Sequence, residues 1–78
     1  MTTATRPIEH YVEKIKRHVA RKFPYLSFDV VPVGHDEVYV YFHGFDPEEN
    51  WMLIIHRGSG IAMDALVDAG YRIHIQPA

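Results

Sequence analysis

The first regular pattern in the chain places apolar side chains at Ile8, Val12, Ile15, Val19 and Phe23. Steps of three and four keep all five on one face of a helix. Pro7 suits a first helical turn, Thr5 is the nearest residue able to cap it, and Pro24 cannot continue it. A helix over residues 7–23 is therefore predicted. The period then shortens to two. Leu26, Phe28 and Val30 alternate with Ser27 and Asp29, which predicts a half-buried strand over residues 26–33. Pro32 has no N–H for a ladder, so this strand should end at an edge or a bulge. Residues 34–37, Gly-His-Asp-Glu, read as a turn, and residues 38–45 as the second strand of a hairpin with Val38, Val40 and Phe42 facing the core.

Residues 46–49, Asp-Pro-Glu-Glu, fit both a capping box with proline at the first helical position and a tight turn. The segment that follows, Trp51 to His56, is short, aromatic and β-branched, which favours a turn leading into a third strand. Arg57-Gly58-Ser59-Gly60 reads as a loop, with Ser59 as cap of a short helix over 61–69 that Gly70 stops. Tyr71, Ile73 and Ile75 alternate with Arg72 and His74 in a last strand. The expected fold is thus α+β in the order αβββαβ: a four-stranded, mostly antiparallel sheet with two helices on one face. Residues 1–6 are expected to form a disordered tail before a single domain over 7–78.

Such a sheet leaves its other face open. A four-residue turn at 46–49 would pair Phe42 with Leu53 and Val40 with Ile55, both inward. It would set Tyr41 opposite Ile54, His43 opposite Met52 and Tyr39 opposite His56, all outward. A one-residue slip would exchange the faces. The expected open surface therefore holds Tyr39, Tyr41, His43, Met52, Ile54, His56, Arg72 and His74. Contiguous exposed apolar area of this kind marks interfaces. It predicts a homodimer or a protein partner, with stacking of unpaired bases as a further use of such a face.

Composition narrows the classes. The chain has 78 residues and no cysteine, which excludes disulfides, thiolate metal sites and a cysteine nucleophile. At this length folding buries only about 60% of the unfolded surface, so a staple or an oligomer would help. The first residues lack the charged and apolar regions of a signal peptide, and no apolar run approaches the roughly 20 residues of a bilayer span. A cytoplasmic location and no membrane are expected. The net charge of −2 hides an asymmetry. Residues 1–25 hold six basic and two acidic side chains, and residues 26–78 hold two basic and eight acidic ones. On the first helix, Lys14, Arg17 and Arg21 form a stripe with His10 opposite the apolar face, supported by Glu13 four residues before Arg17. That stripe is the candidate nucleic-acid surface.

Six histidines are many for this length. None are spaced His-x-x-x-His, so no zinc-helix motif is present. His56 and His74 would face each other if the last strand ran beside the third, and with Tyr39 they would suit a metal or acid–base work. No cofactor and no metal are assigned, and no catalytic residue. His35 follows Gly34 at the start of the second strand. Here the chain resembles the small mRNA-cleaving toxins of the double-stranded-RNA-binding fold, which run αβββα and carry Gly-Ser-His at this place. The resemblance implies RNA cleavage with His35 as general acid or base. The chain lacks the serine, adds a final strand and has an acidic body. Gly58-Ser59-Gly60 is too short for a phosphate-loop fingerprint, having no following Lys-Ser/Thr. The expectation is a small non-catalytic binding module acting through the open sheet face, with nucleic-acid binding by the first helix as the alternative.

Overall fold

A computed structural model describes residues 7–78; the expected tail at 1–6 and the expected cap Thr5 lie outside the described residues. The elements are α1 (Ile8–Lys22), β1 (Ser27–Pro32), β2 (Glu37–His43), α2 (Trp51–Ala69) and β3 (Arg72–Pro77). The order is αββαβ. The sheet runs β1-β2-β3, with β1 antiparallel to β2 and β3 parallel to it. A parallel neighbour needs a crossover, and α2 supplies it.

The expected four-stranded, mostly antiparallel sheet is corrected by this arrangement. Residues 51–56 are the first turns of α2, so the third strand does not exist and the sheet is three-stranded and mixed. The apolar period explains why. Ile54, Gly58 and Ala65 are the buried residues of α2, and their spacing is helical straight through the segment that looked like a loop. Asn50 caps the helix: its Oδ1 accepts the Met52 N–H at 3.1 Å. Ser59, the expected cap, lies mid-helix and donates back to the His56 carbonyl at 2.9 Å. Residues 46–49 form a turn in which Asp46 Oδ1 accepts the Glu48 N–H and Glu49 Oε1 accepts the Asp46 N–H. Glu49 makes the return contact of a capping box, but Asp46 Oδ1 takes the N–H of Glu48 rather than that of Glu49, and the helix starts only at Trp51. Gly70 ends α2 in the left-handed region at φ +72°, as its place after the last periodic residue predicts.

The helices cover one face of the sheet. Phe42, Ile15, Ile54, Val19 and Val40 are fully buried between the layers. Gly58 makes the close fit possible, because a β-carbon there would meet Ile75 Cδ1 and Ile15 Cγ2 at 2.6 and 3.2 Å. Arg57 ties the helices further, its Nε donating to the His18 carbonyl at 2.9 Å. At one end of the domain Tyr25 donates a hydrogen bond to Glu49, joining the α1–β1 and β2–α2 connections. Among the described residues no helix is long and apolar enough to cross a membrane.

Candidate functional site: the open sheet face and the second face of α2

The register places Ser27, Asp29 and Val31 of β1 opposite His43, Tyr41 and Tyr39 of β2. On the other side Glu37, Tyr39 and Tyr41 lie opposite Arg72, His74 and Gln76. Because Val38, Val40 and Phe42 are buried against the helices, this alternate set makes up the open face. Tyr39 and His74 stack with ring centroids 4.5 Å apart at 25°, and Tyr39 and Tyr41 stack at 5.9 Å and 13°. Each end of the row is held by an acid. His43 Nε2 lies 2.6 Å from Asp29 Oδ2, and His74 Nε2 lies 2.8 Å from Glu37 Oε2. With both pairs open to water, each contributes at most about 1 kcal/mol. Their role is to fix ring orientation.

Of the expected open-face residues, the structure gathers Tyr39, Tyr41, His43, Arg72 and His74. Met52, Ile54 and His56 are elsewhere, since all three are on α2. Ile54 is in the core, while Met52 and His56 are exposed on the helix. The proposed pairing of Tyr41 with Ile54, His43 with Met52 and Tyr39 with His56 does not form; on that side of β2, Tyr41 lies opposite Gln76 and Tyr39 opposite His74. The face is more polar than expected and flanked by acids. Its rings stack on one another, whereas a base-stacking platform turns ring faces to the nucleic acid. His56 and His74 are not opposed. Among the described residues no group of three histidines or carboxylates is placed to hold a metal ion.

What sequence reasoning missed is on α2. The helix has only His56, Arg57, Asp64 and Asp68 as charged or titratable side chains in 19 residues, and it buries one narrow face. Trp51, Met52, Leu53, Met63, Leu66 and Val67 remain exposed, Val67 by 74%. Ser59, Ala62, Met63 and Leu66 join Tyr71, Arg72, Ile73 and His74 of the β3 edge in an open groove of about 300 Å³. The signal was available: a helix that is apolar all round is one buried on more than one side. It was hidden by dividing the segment at Gly58.

On the far side of the helical layer, Lys14, Arg17, His18, Arg21 and Ile61 line a shallow cleft of about 260 Å³. The expected stripe is thus a single surface. Glu13 pairs with Lys16 at 3.0 Å rather than with Arg17. His35 is exposed in the β1–β2 turn. The αββαβ order also removes the element order on which the toxin resemblance stood. Compared with protein-family models, curated proteins and solved structures, the chain matches none of them.

Proposed function

We propose that this chain is a small, non-catalytic, cytoplasmic binding module that works by association with protein, first of all with its own second copy. The observation behind this reading is the surplus apolar surface of α2: six large hydrophobic side chains stay exposed on a helix whose core-facing side is already satisfied. An all-round apolar helix is stable when a second surface covers it. The size of the chain supports the same conclusion, since a core this small gains from oligomerisation. The open face, with Tyr39, Tyr41, His43 and His74, is the adjoining surface and gives a rigid, half-buried row beside the helix flank.

The test is molar mass in solution by light scattering. A mass above the 9.1 kDa of one chain is expected. Leu66→Glu probes the helix flank and Tyr41→Lys the middle of the open face; both residues face outward, so the fold tolerates each. A single-chain mass for the unsubstituted protein at every concentration would overturn the reading.

A second reading rests on the cleft lined by Lys14, Arg17, His18 and Arg21, where three cations share one surface. It makes α1 a phosphate-tracking element for nucleic acid. The acidic residues of the rest of the chain oppose it, and salt-sensitive retention on heparin would separate it from the first.

A further inference from the structure

We infer that the second copy joins at the free edge of β3, antiparallel and about a two-fold axis through His74, giving one continuous six-stranded sheet with α2 beside its counterpart. This inference rests on the self-association reading above and names its geometry. The main-chain hydrogen bonds lead to it. Arg72 N–H donates to the Asp36 carbonyl at 2.7 Å and Ala78 N–H to the Phe42 carbonyl at 3.0 Å. Residues of a parallel strand alternate, so Arg72, His74 and Gln76 turn their main-chain groups to β2. Ile73, Ile75 and Pro77 turn theirs to the outside, where β3 has no neighbour among the described residues. Pro77 has no N–H, and the free side is where a strand tolerates it.

The edge therefore offers two complete donor–acceptor sets, at Ile73 and Ile75, placed evenly about His74. An antiparallel copy centred on His74 pairs Ile73 with Ile75 of the second copy and Ile75 with Ile73 of the second copy. Four main-chain hydrogen bonds form and neither residue keeps an unpaired group. Moving the axis to Ile73 sets Ile75 against Tyr71, whose N–H is already given to the Ala65 carbonyl at 3.2 Å. Moving it to Ile75 sets Ile73 against Pro77, which has no donor. In either shift a carbonyl in the middle of the edge, that of Ile75 or of Ile73, stays unpaired, whereas the His74 axis leaves only the end carbonyls of Tyr71 and Pro77, and this favours the His74 register.

The flanking surfaces agree. The groove next to this edge is lined on the helix side by Ser59, Ala62, Met63 and Leu66, all uncharged, so a second copy brings no like charges together there. From Ser59 to Leu66 the helix wall of the groove runs about 10 Å, enough to flank the paired residues Ile73 to Ile75. On the open face the row Tyr39–His74 continues across the axis into His74 and Tyr39 of the second copy. The opposite edge lacks these properties. Val33 N–H donates to the Glu37 carbonyl, so the free groups of β1 belong to Phe28, Val30 and Pro32. The equivalent axis there would set Asp29 directly against Asp29, which is destabilising. The cleft beside it is lined by Glu9, Glu13, Lys16 and Glu37 among its apolar residues.

Because the chain has no cysteine, one introduced thiol reports on the axis. A directly opposed, non-hydrogen-bonded antiparallel pair has its Cα atoms about 4.5 Å apart, inside the range of a disulfide. His74→Cys in the full chain is expected to give a covalent dimer under mild oxidation. Arg72→Cys and Gln76→Cys place their thiols four residues from their symmetry mates and are expected to stay single chains on a non-reducing gel. Met63→Glu, on the helix flank, is expected to reduce the His74→Cys cross-link and return the unsubstituted background to single-chain mass. An oligomer by light scattering whose His74→Cys variant does not cross-link, or whose three cysteine variants cross-link alike, overturns the β3 edge while leaving self-association standing. A single-chain mass throughout overturns both.

Discussion

Gly58 of α2 faces Ile75 of β3 so closely that a β-carbon on the glycine would stand 2.6 Å from Ile75 Cδ1. A β-carbon on Gly60, two residues on, would have nothing within 4 Å. The two glycines of one short segment therefore answer to different physics. Gly60→Ala is expected to stabilise by about 0.5–1 kcal/mol through helix propensity. Gly58→Ala gains the same propensity but must displace Ile75 and Ile15, both buried, and overpacking costs about 1–3 kcal/mol. Urea midpoints should move in opposite directions at constant slope. A gain at both positions would show that Ile75 turns aside without cost.

Asn50 and Ser59 make a second contrast, since the sequence pointed to Ser59 as the cap and the structure uses Asn50. Asn50→Ala removes the acceptor of the Met52 N–H and should destabilise by about 1 kcal/mol. Asn50→Asp keeps the acceptor, adds a charge favoured at a helix N-terminus and should restore the loss. Ser59→Ala removes only a back-bond to the His56 carbonyl and should change stability by less than about 0.5 kcal/mol. Thermal or urea unfolding checks all three. A larger loss at Ser59 than at Asn50 would place the helix start where the sequence suggested.

Tyr25 is expected to ionise late. Its hydrogen bond to Glu49, then desolvation and the charges of Glu49 and Asp46, push its pKa up to about 12 from 10. The folded state holds this proton more tightly than the unfolded chain. The stabilising contribution is therefore complete below pH 10 and is lost as pH rises from 10 toward 12. The difference in tyrosinate absorbance between the protein and Tyr25→Phe isolates this one ring among five tyrosines. Glu49→Gln removes the charge and should bring the midpoint back toward 10. An unchanged midpoint in that variant would mean that Glu49 is not the cause.

The nucleic-acid reading commits to a slope. Lys14, Arg17 and Arg21 on one cleft would make about three phosphate contacts, giving log K against log salt a slope near −2.7 on duplex. Arg17→Ala should reduce that slope by about one and leave stability unchanged, because the side chain is exposed on α1. Titrations at two or more salt concentrations decide it. Absence of binding at low salt to duplex and single strands alike leaves the stripe a solvated helix face.

The sequence by itself determined the elements whose periodicity is unbroken and whose ends are marked. The α1 face Val12, Ile15, Val19 and Phe23 is buried as its spacing requires. The β1–β2 hairpin pairs Phe28 with Phe42 and Val30 with Val40 as alternation predicts, but the expected half-buried strand is mostly exposed, Val30 included. Gly70 stops α2, and β3 alternates as read. The open-face residues Tyr39, Tyr41, His43 and His74 were legible for the same reason, because alternation in a strand assigns faces without knowledge of neighbours.

The state of residues 51–60 was decided only by tertiary structure. A six-residue apolar run has too few positions to separate a period of 2 from one of 3.6, and its short-range composition favours a strand. Two glycines just beyond it argue locally against a helix, at about 1 kcal/mol each. What reverses that balance is non-local. Gly58 is the residue over which Ile15 and Ile75 close, and Ile54 fills the core only when the helix is continuous. With that helix in place the third strand disappears, Met52, Ile54 and His56 leave the sheet, and β3 becomes a free edge beside an exposed apolar flank. Neither that edge nor that flank exists in the chain read one segment at a time, because each is made by packing one element against another.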